Sequence, residues 1–153
     1  MDPAEIEAIR QLKHAYFRLL DTKRFEELGA LLNEDVTTAF QSGELSFTGR
    51  AAVVGFLTDS LGGSTIITMH NGHHPEIALT GPATASGTWY LEDRVIVHEH
   101  DYEIYGTAIY RDDYAKSDGQ WRIRHTGYDR IFEEHRRRST AEIVSFSSRF
   151  DGD

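Results

Sequence analysis

Apolar residues in the first part of the chain recur at intervals of three and four. Ile6, Ile9, Leu12, Tyr16 and Leu20 form one stripe, the pattern of an amphipathic helix of about five turns. Asp2-Pro3 stands at its start with Glu5 three positions after Asp2, the arrangement of a capping carboxylate, a first-turn proline and a capping-box acid. Asp21-Thr22 breaks the stripe, and Phe25, Leu28, Leu31 and Leu32 mark a second, shorter helix. Residues 35–40 read as a strand, 41–44 as a turn, and Ser46-Phe47 as a short partner strand. A third helix is expected over 49–60, ended by Leu61-Gly62-Gly63-Ser64. From Ile66 the period changes to two. Strand-like segments follow at 66–79, 83–97, 102–114 and 121–132, joined by turn-like stretches. Helices gathered first and antiparallel strands later predict an α+β fold. The sheet is expected to be curved and mixed, mostly antiparallel, of about six strands, with the three helices of the N-terminal half over one face.

Composition narrows the function classes. At 153 residues, 39% hydrophobic, the chain suits one domain with a real core, placed here at 1–135, with 136–153 as a tail or short helix. Phe146 and Phe150 in that tail are candidate anchors to a partner subunit. A net charge of −9 argues against nucleic acid as a partner, because phosphate binding needs a basic face. The cluster Arg136–Arg138 reads as a solvated helix end or tail. No apolar run reaches bilayer-spanning length, and the acidic opening is unlike a signal peptide. Without cysteine there is no disulfide framework and no thiolate nucleophile. A cytoplasmic protein with no membrane partner is expected.

Histidine carries the first candidate chemistry. In Ile66–His70, strand alternation sets His70 on the face opposite Ile67, Met69 and Asn71, and imidazole is the side chain that exchanges protons near neutrality. A lone strand histidine is more often structural than catalytic, so its company matters. Asp93 shares a face with Trp89, Leu91, Val95 and Val97; a carboxylate in an apolar row prefers its neutral form or finds a partner, with pairing to Arg94 at the strand end as the structural alternative. Asp21 follows the first helix, where capping of the second helix is its ordinary role. Tyr16 on the helix stripe reads equally as core. His125 falls on an apolar face between Trp121, Ile123 and Ile131, as a second candidate histidine for the same cavity. The run His98-Glu99-His100-Asp101 lies in a turn without a third ligand, so no metal site is predicted. His73-His74-Pro75 is ambiguous, with Pro75 marking an interruption or bulge. No phosphate loop, nucleophile elbow or zinc-protease motif is present, and no cofactor is predicted.

The residues Tyr16-Phe17-Arg18-Leu19-Leu20-Asp21, then Phe25–Leu28 and Asp35-Val36, resemble the opening of SnoaL-like proteins in the nuclear-transport-factor-2-like superfamily. Tyr110–Tyr114 and Asp118-Gly119-Gln120-Trp121-Arg122-Ile123 resemble that family's closing hairpin. The likeness covers roughly residues 6–132. Scytalone dehydratase and hexachlorocyclohexane dehydrochlorinase of that superfamily use an aspartate after the first helix and a strand histidine, and Asp21 and His70 fall at the corresponding places. Bile-acid 7α-dehydratase adds a tyrosine five residues before the aspartate and a second aspartate after the histidine; Tyr16 and Asp93 match these. The late-strand arginine of the dehydrochlorinase corresponds here to Thr126, which speaks against chloride elimination.

The resemblance implies a cone-shaped sheet whose open side the helices close over a deep apolar pocket. His70, Asp21, Tyr16 and Asp93 are then the candidate catalytic residues. Candidate walls are Phe17, Phe56, Leu57, Trp89, Leu91, Tyr110 and Ile123, with His125 beside them. The expected activity is a cofactor-independent lyase, dehydratase-like, acting on a small hydrophobic cyclic carbonyl or hydroxy compound such as a steroid or polyketide. The alternatives are an isomerase or polyketide-cyclase-like enzyme and a non-catalytic ligand-binding or interaction module. The resemblance also implies a homodimer or homotrimer formed through the outer sheet face, where Tyr90 and Tyr105 are candidate contacts.

Overall fold

Asp2 caps the first helix as its position predicts: its carboxylate accepts a hydrogen bond from the Ala4 amide at 2.9 Å, satisfying one of the free donors of the first turn. The computed structural model describes residues 2–153. Helix α1 spans Pro3–Asp21 and buries Ile9, Leu12, Tyr16, Phe17 and Leu20, with Lys13 among them. A single turn, α2 (Phe25–Gly29), follows. Strand β1 (Leu32–Ala39) begins earlier than its sequence pattern suggests, so Leu32 belongs to the strand and not to the second helix. Helix α3 spans Arg50–Leu61. Four long strands complete the chain: β2 (Ile66–Gly81), β3 (Thr84–Val97), β4 (Tyr102–Ser117) and β5 (Gln120–Arg136).

The fold is α+β, with the sheet ordered β1-β5-β4-β3-β2. The β1–β5 pair is parallel and the others antiparallel. Five strands stand where about six were expected. The segment read as the extra strand makes only the isolated bridges Thr37↔Thr48 and Phe40↔Leu45, because the 3₁₀ turn Gln41–Gly43 turns the chain towards α3 before a ladder can form. The inner face of the sheet and the helices share one core, with Leu28, Leu32, Val36, Val53, Trp89 and Ile123 fully buried.

Extra residues in β5 decide which side chains face that core. Tyr114 pairs with Ile123 and Asp113 with His125, leaving Arg124 unpaired; further on, Ala108 pairs with Arg130 and Thr107 with Phe132, leaving Ile131 unpaired. Each extra residue reverses the in–out alternation. The first brings Thr126, Tyr128 and Arg130 to the inside, and Ile131 is left about half exposed. Gly106 accommodates the second: a Cβ there would stand 2.3 Å from the Phe132 carbonyl and 3.2 Å from Arg130 Nη1.

Residues after β5 pack on their own chain. Arg138 is buried and donates to Glu103 at 2.7 Å, Phe146 stacks on His98, and Phe150 lies under the Lys23 ammonium. The two phenylalanines expected to anchor a partner subunit therefore have partners within the chain. Among the described residues no helix is long and apolar enough to cross a membrane.

Glu5 departs from its expected capping-box role. Its carboxylate accepts from Lys116 Nζ at 2.7 Å and from the Trp121 indole, tying the start of α1 to the β4–β5 hairpin. The Lys116 hydrogen bond first, and the Trp121 one second, hold the Glu5 carboxyl below the ordinary glutamate value. A depressed carboxyl contributes stability that is present above its unfolded value and is lost as pH falls through the folded one. E5Q is expected to remove this contribution, so that the difference in Tm from wild type is present at neutral pH and shrinks below about pH 4. Equal differences across that range, measured by thermal melts, would refute the assignment.

Candidate active site

α1 ends beside the start of β2, and Asp21, its last residue, is engaged there rather than capping α2, whose cap position is Arg24. Asp21 Oδ1 lies 2.7 Å from His70 Nδ1 and accepts the Thr68 hydroxyl at 2.8 Å; Oδ2 accepts the His70 backbone amide at 2.9 Å. Three donors thus fix one carboxylate, and the carboxylate fixes one imidazole. With Nδ1 directed at an acceptor, its hydrogen is placed on that nitrogen, leaving Nε2 as the lone-pair nitrogen. Phe17 lies parallel to the His70 ring, 10° from coplanar. It reaches that place because β2 has glycine beside it: a Cβ on Gly72 would stand 2.4 Å from the Phe17 ring.

His70 lines a cavity of about 210 Å³ between the helices and the inner sheet face. Tyr16, Asp93, Tyr110, Tyr128 and Arg130, with Gln41 and Ser60, supply the rest of its polar lining, while Leu57, Phe56, Leu91 and Val95 are among its apolar walls. The sheet register accounts for part of this: His70 pairs with Asp93 across β2 and β3, so both side chains point inward on neighbouring strands. Burial, with the Asp112 charge second, raises the Tyr16 hydroxyl above its ordinary value. Burial likewise raises Tyr110 and Tyr128. All three are neutral hydrogen-bond donors at physiological pH.

Asp93, only 3% exposed, is paired with Arg130 and not with Arg94: Nη1 meets Oδ1 at 2.5 Å and Nη2 meets Oδ2 at 3.0 Å. Such a two-pronged contact suits an ionised carboxylate, so of the two outcomes open to a carboxylate in an apolar row the structure shows the partnered one. Arg130 and Tyr128 are polar site residues that the sequence reading missed. Straight alternation from Trp121 and Ile123 points to His125, and the extra residue at Arg124 moves the inward series to Thr126, Tyr128 and Arg130.

Four other candidates lie outside the cavity lining. His125 turns to β1, its Nδ1 2.7 Å from the Thr37 hydroxyl. Trp89 is wholly buried beneath the cavity, with its indole donating to the Tyr114 hydroxyl at 3.0 Å. Ile123 is wholly buried in the same layer. Phe17 supports His70 from behind instead of touching the cavity. Among the described residues no group of three or more histidine, aspartate or glutamate side chains is placed to hold a metal ion. A larger, more open hollow of about 400 Å³ lies between His98 and the C-terminal segment, and none of the candidate catalytic residues lines it.

Residues 3–127 match the family model described as "SnoaL-like domain". The fold is similar to three solved structures. One, described as a "Putative Scytalone Dehydratase" from Novosphingobium aromaticivorans, is 23% identical with TM-score 0.79, over 86% of this chain and 87% of that one. A hexachlorocyclohexane dehydrochlorinase from Novosphingobium barchaimii is 15% identical with TM-score 0.79, over 95% and 96%. Aln2 from a Streptomyces species is 17% identical with TM-score 0.73, over 85% and 93%. At these identities the likeness is one of fold.

Proposed function

This chain belongs to the SnoaL-like domain family and has the NTF2-like fold, and on that premise we propose that it is a cofactor-independent lyase that removes water from a small hydrophobic cyclic carbonyl compound. The observation that carries the reading is the Asp21–His70 pair, 2.7 Å apart and set against a largely apolar cavity. A fold of this kind hosts many functions, so the family narrows the choice and the site makes it. Two of the structural neighbours bear the names of elimination enzymes, a dehydratase and a dehydrochlorinase.

His70 Nε2 takes a proton from the carbon next to the substrate carbonyl, acting as general base. Asp21 keeps the ring in one tautomer and stabilises the imidazolium that forms. Tyr16 donates a hydrogen bond to the oxygen on which enolate charge develops. Arg130, held by Asp93, presents a fixed guanidinium–carboxylate pair at the same cavity. The carbon–oxygen bond to the β-hydroxyl then breaks as the double bond forms. His70 returns its proton to the departing oxygen, which leaves as water. Atoms balance and the enzyme ends unchanged.

The test is incubation with a panel of cyclic β-hydroxy-ketones and mass spectrometry of the products. Loss of one water, suppressed in D21N, is the expected result. A product of unchanged mass would assign an isomerase or cyclase instead. Binding without turnover in the whole panel, equal in wild type and D21N, would assign a ligand-binding module.

A further inference from the structure

Lys13 is wholly buried and belongs to no step of the chemistry above. Its ammonium lies 2.8 Å from Asp112 Oδ2, also wholly buried, and 3.4 Å from the Thr126 hydroxyl. The Tyr114 hydroxyl donates to the same Asp112 oxygen at 2.8 Å, and the Trp89 indole donates to Tyr114. Above the ammonium are the rings of Tyr110, Tyr16 and Phe17, with centroids at 3.9, 4.5 and 5.0 Å. The first two line the cavity and the third backs His70.

A buried ion pair is seldom the most stable filling for a core, because desolvation offsets its attraction. Its placement along α1 suggests what it provides. The helix is pinned to the sheet by polar side chains at Glu5, Lys13 and Asp21, eight residues or about 12 Å apart along the axis. Glu5 holds the β4–β5 hairpin, Asp21 holds β2, and Lys13 holds β4 and β5 midway, where Asp112 and Thr126 are register partners. Glu5 and Asp21 are partly exposed, and only the central pin is dry. Apolar packing alone tolerates sliding and rotation of a helix, whereas an ammonium with one carboxylate partner in a dry core has one good position.

We propose that Lys13, through its buried pair with Asp112, is a positioning residue that sets the register of α1 and so holds Asp21 on His70 and Tyr16 in the cavity. This rests on the reading of Asp21 and His70 as the working pair. The test is the exchange rate of the His70 Nδ1 proton, followed by proton NMR on the whole protein. Wild type is expected to show a protected downfield signal, and D21N to lose it, which assigns it. K13M/D112N keeps an acceptor for Tyr114 and leaves no unpaired charge, and its His70 proton is expected to exchange at least about tenfold faster through freer local opening. Y114F, which trims one hydroxyl from the network, is the milder second variant and is expected to fall between them.

A folded K13M/D112N protein with the wild-type exchange rate would overturn the proposal. If that variant fails to fold, wild-type exchange in Y114F overturns it. Absence of the protected proton from wild type would instead sink the Asp21–His70 reading itself, whereas a protected proton unmoved by the variants removes only the role of Lys13.

Discussion

His70→Ala is expected to lower kcat by ~10²–10⁴-fold on any substrate that the wild type dehydrates, the usual worth of a positioned general base. Stability should change less than activity, because removal of the imidazole leaves Asp21 with two other donors, the Thr68 hydroxyl and the residue-70 amide. The expected signature is therefore a collapse of kcat in a protein that melts near the wild-type temperature. His70→Gln sharpens the test, since it keeps a polar side chain at the strand position but cannot accept and return a proton. Both variants should bind substrate with KM within a few-fold of wild type, the other cavity-lining residues being unchanged. Turnover of His70→Ala within a few-fold of wild type would end the acid–base mechanism and leave the cavity as a binding site. Asp21→Asn should follow His70→Ala closely, because an amide in place of the carboxylate can present an N–H to Nδ1 and select the wrong tautomer, and because it stabilises no imidazolium.

How far the sequence led towards these residues depended on the regularity of the backbone. α1 and the opening of β2 are uninterrupted elements, so counting put Tyr16 on the buried stripe of α1 and His70 on a face of β2; it gave Asp21 only a capping role, and the family resemblance was what grouped the three, which the structure sets beside one another. Asp93 was placed on the right face for the same reason, but its partner was not, because Arg130 lies beyond the extra residue at Arg124, and a period-two count fails at a bulge. The same failure sent His125 to the wrong face. The sixth strand was lost to context: Ser46-Phe47 has a strand-like composition, but the turn beside it leaves room only for isolated bridges. Lys13 and Asp112 left a readable signal that composition alone obscured. Lys13 stands four residues after Ile9 on the buried face of α1, and Asp112 stands between Tyr110 and Tyr114 in an inward period-two row. Two opposite charges at core positions on separate elements predict a buried pair, since neither is tolerated there alone.

That pair supports the second large expectation. Lys13→Met should destabilise the protein by about 3–5 kcal/mol, the loss typical of breaking a buried ion pair and leaving one charge without its partner. Methionine fills much of the space of the lysine stem, so a cavity contributes little, and the loss falls chiefly on Asp112. Asp112 already has one oxygen without a hydrogen-bond partner, and in the variant it retains only the Tyr114 hydroxyl. Neutralising both partners in K13M/D112N should recover most of the lost stability, because the cost lies in the unpaired charge and not in the missing attraction. Denaturant unfolding of the wild type, both single variants and the double variant measures every term. If Lys13→Met alone costs less than about 1 kcal/mol, or if D112N adds to its cost instead of relieving it, the buried pair is not the constraint on α1 that its geometry indicates.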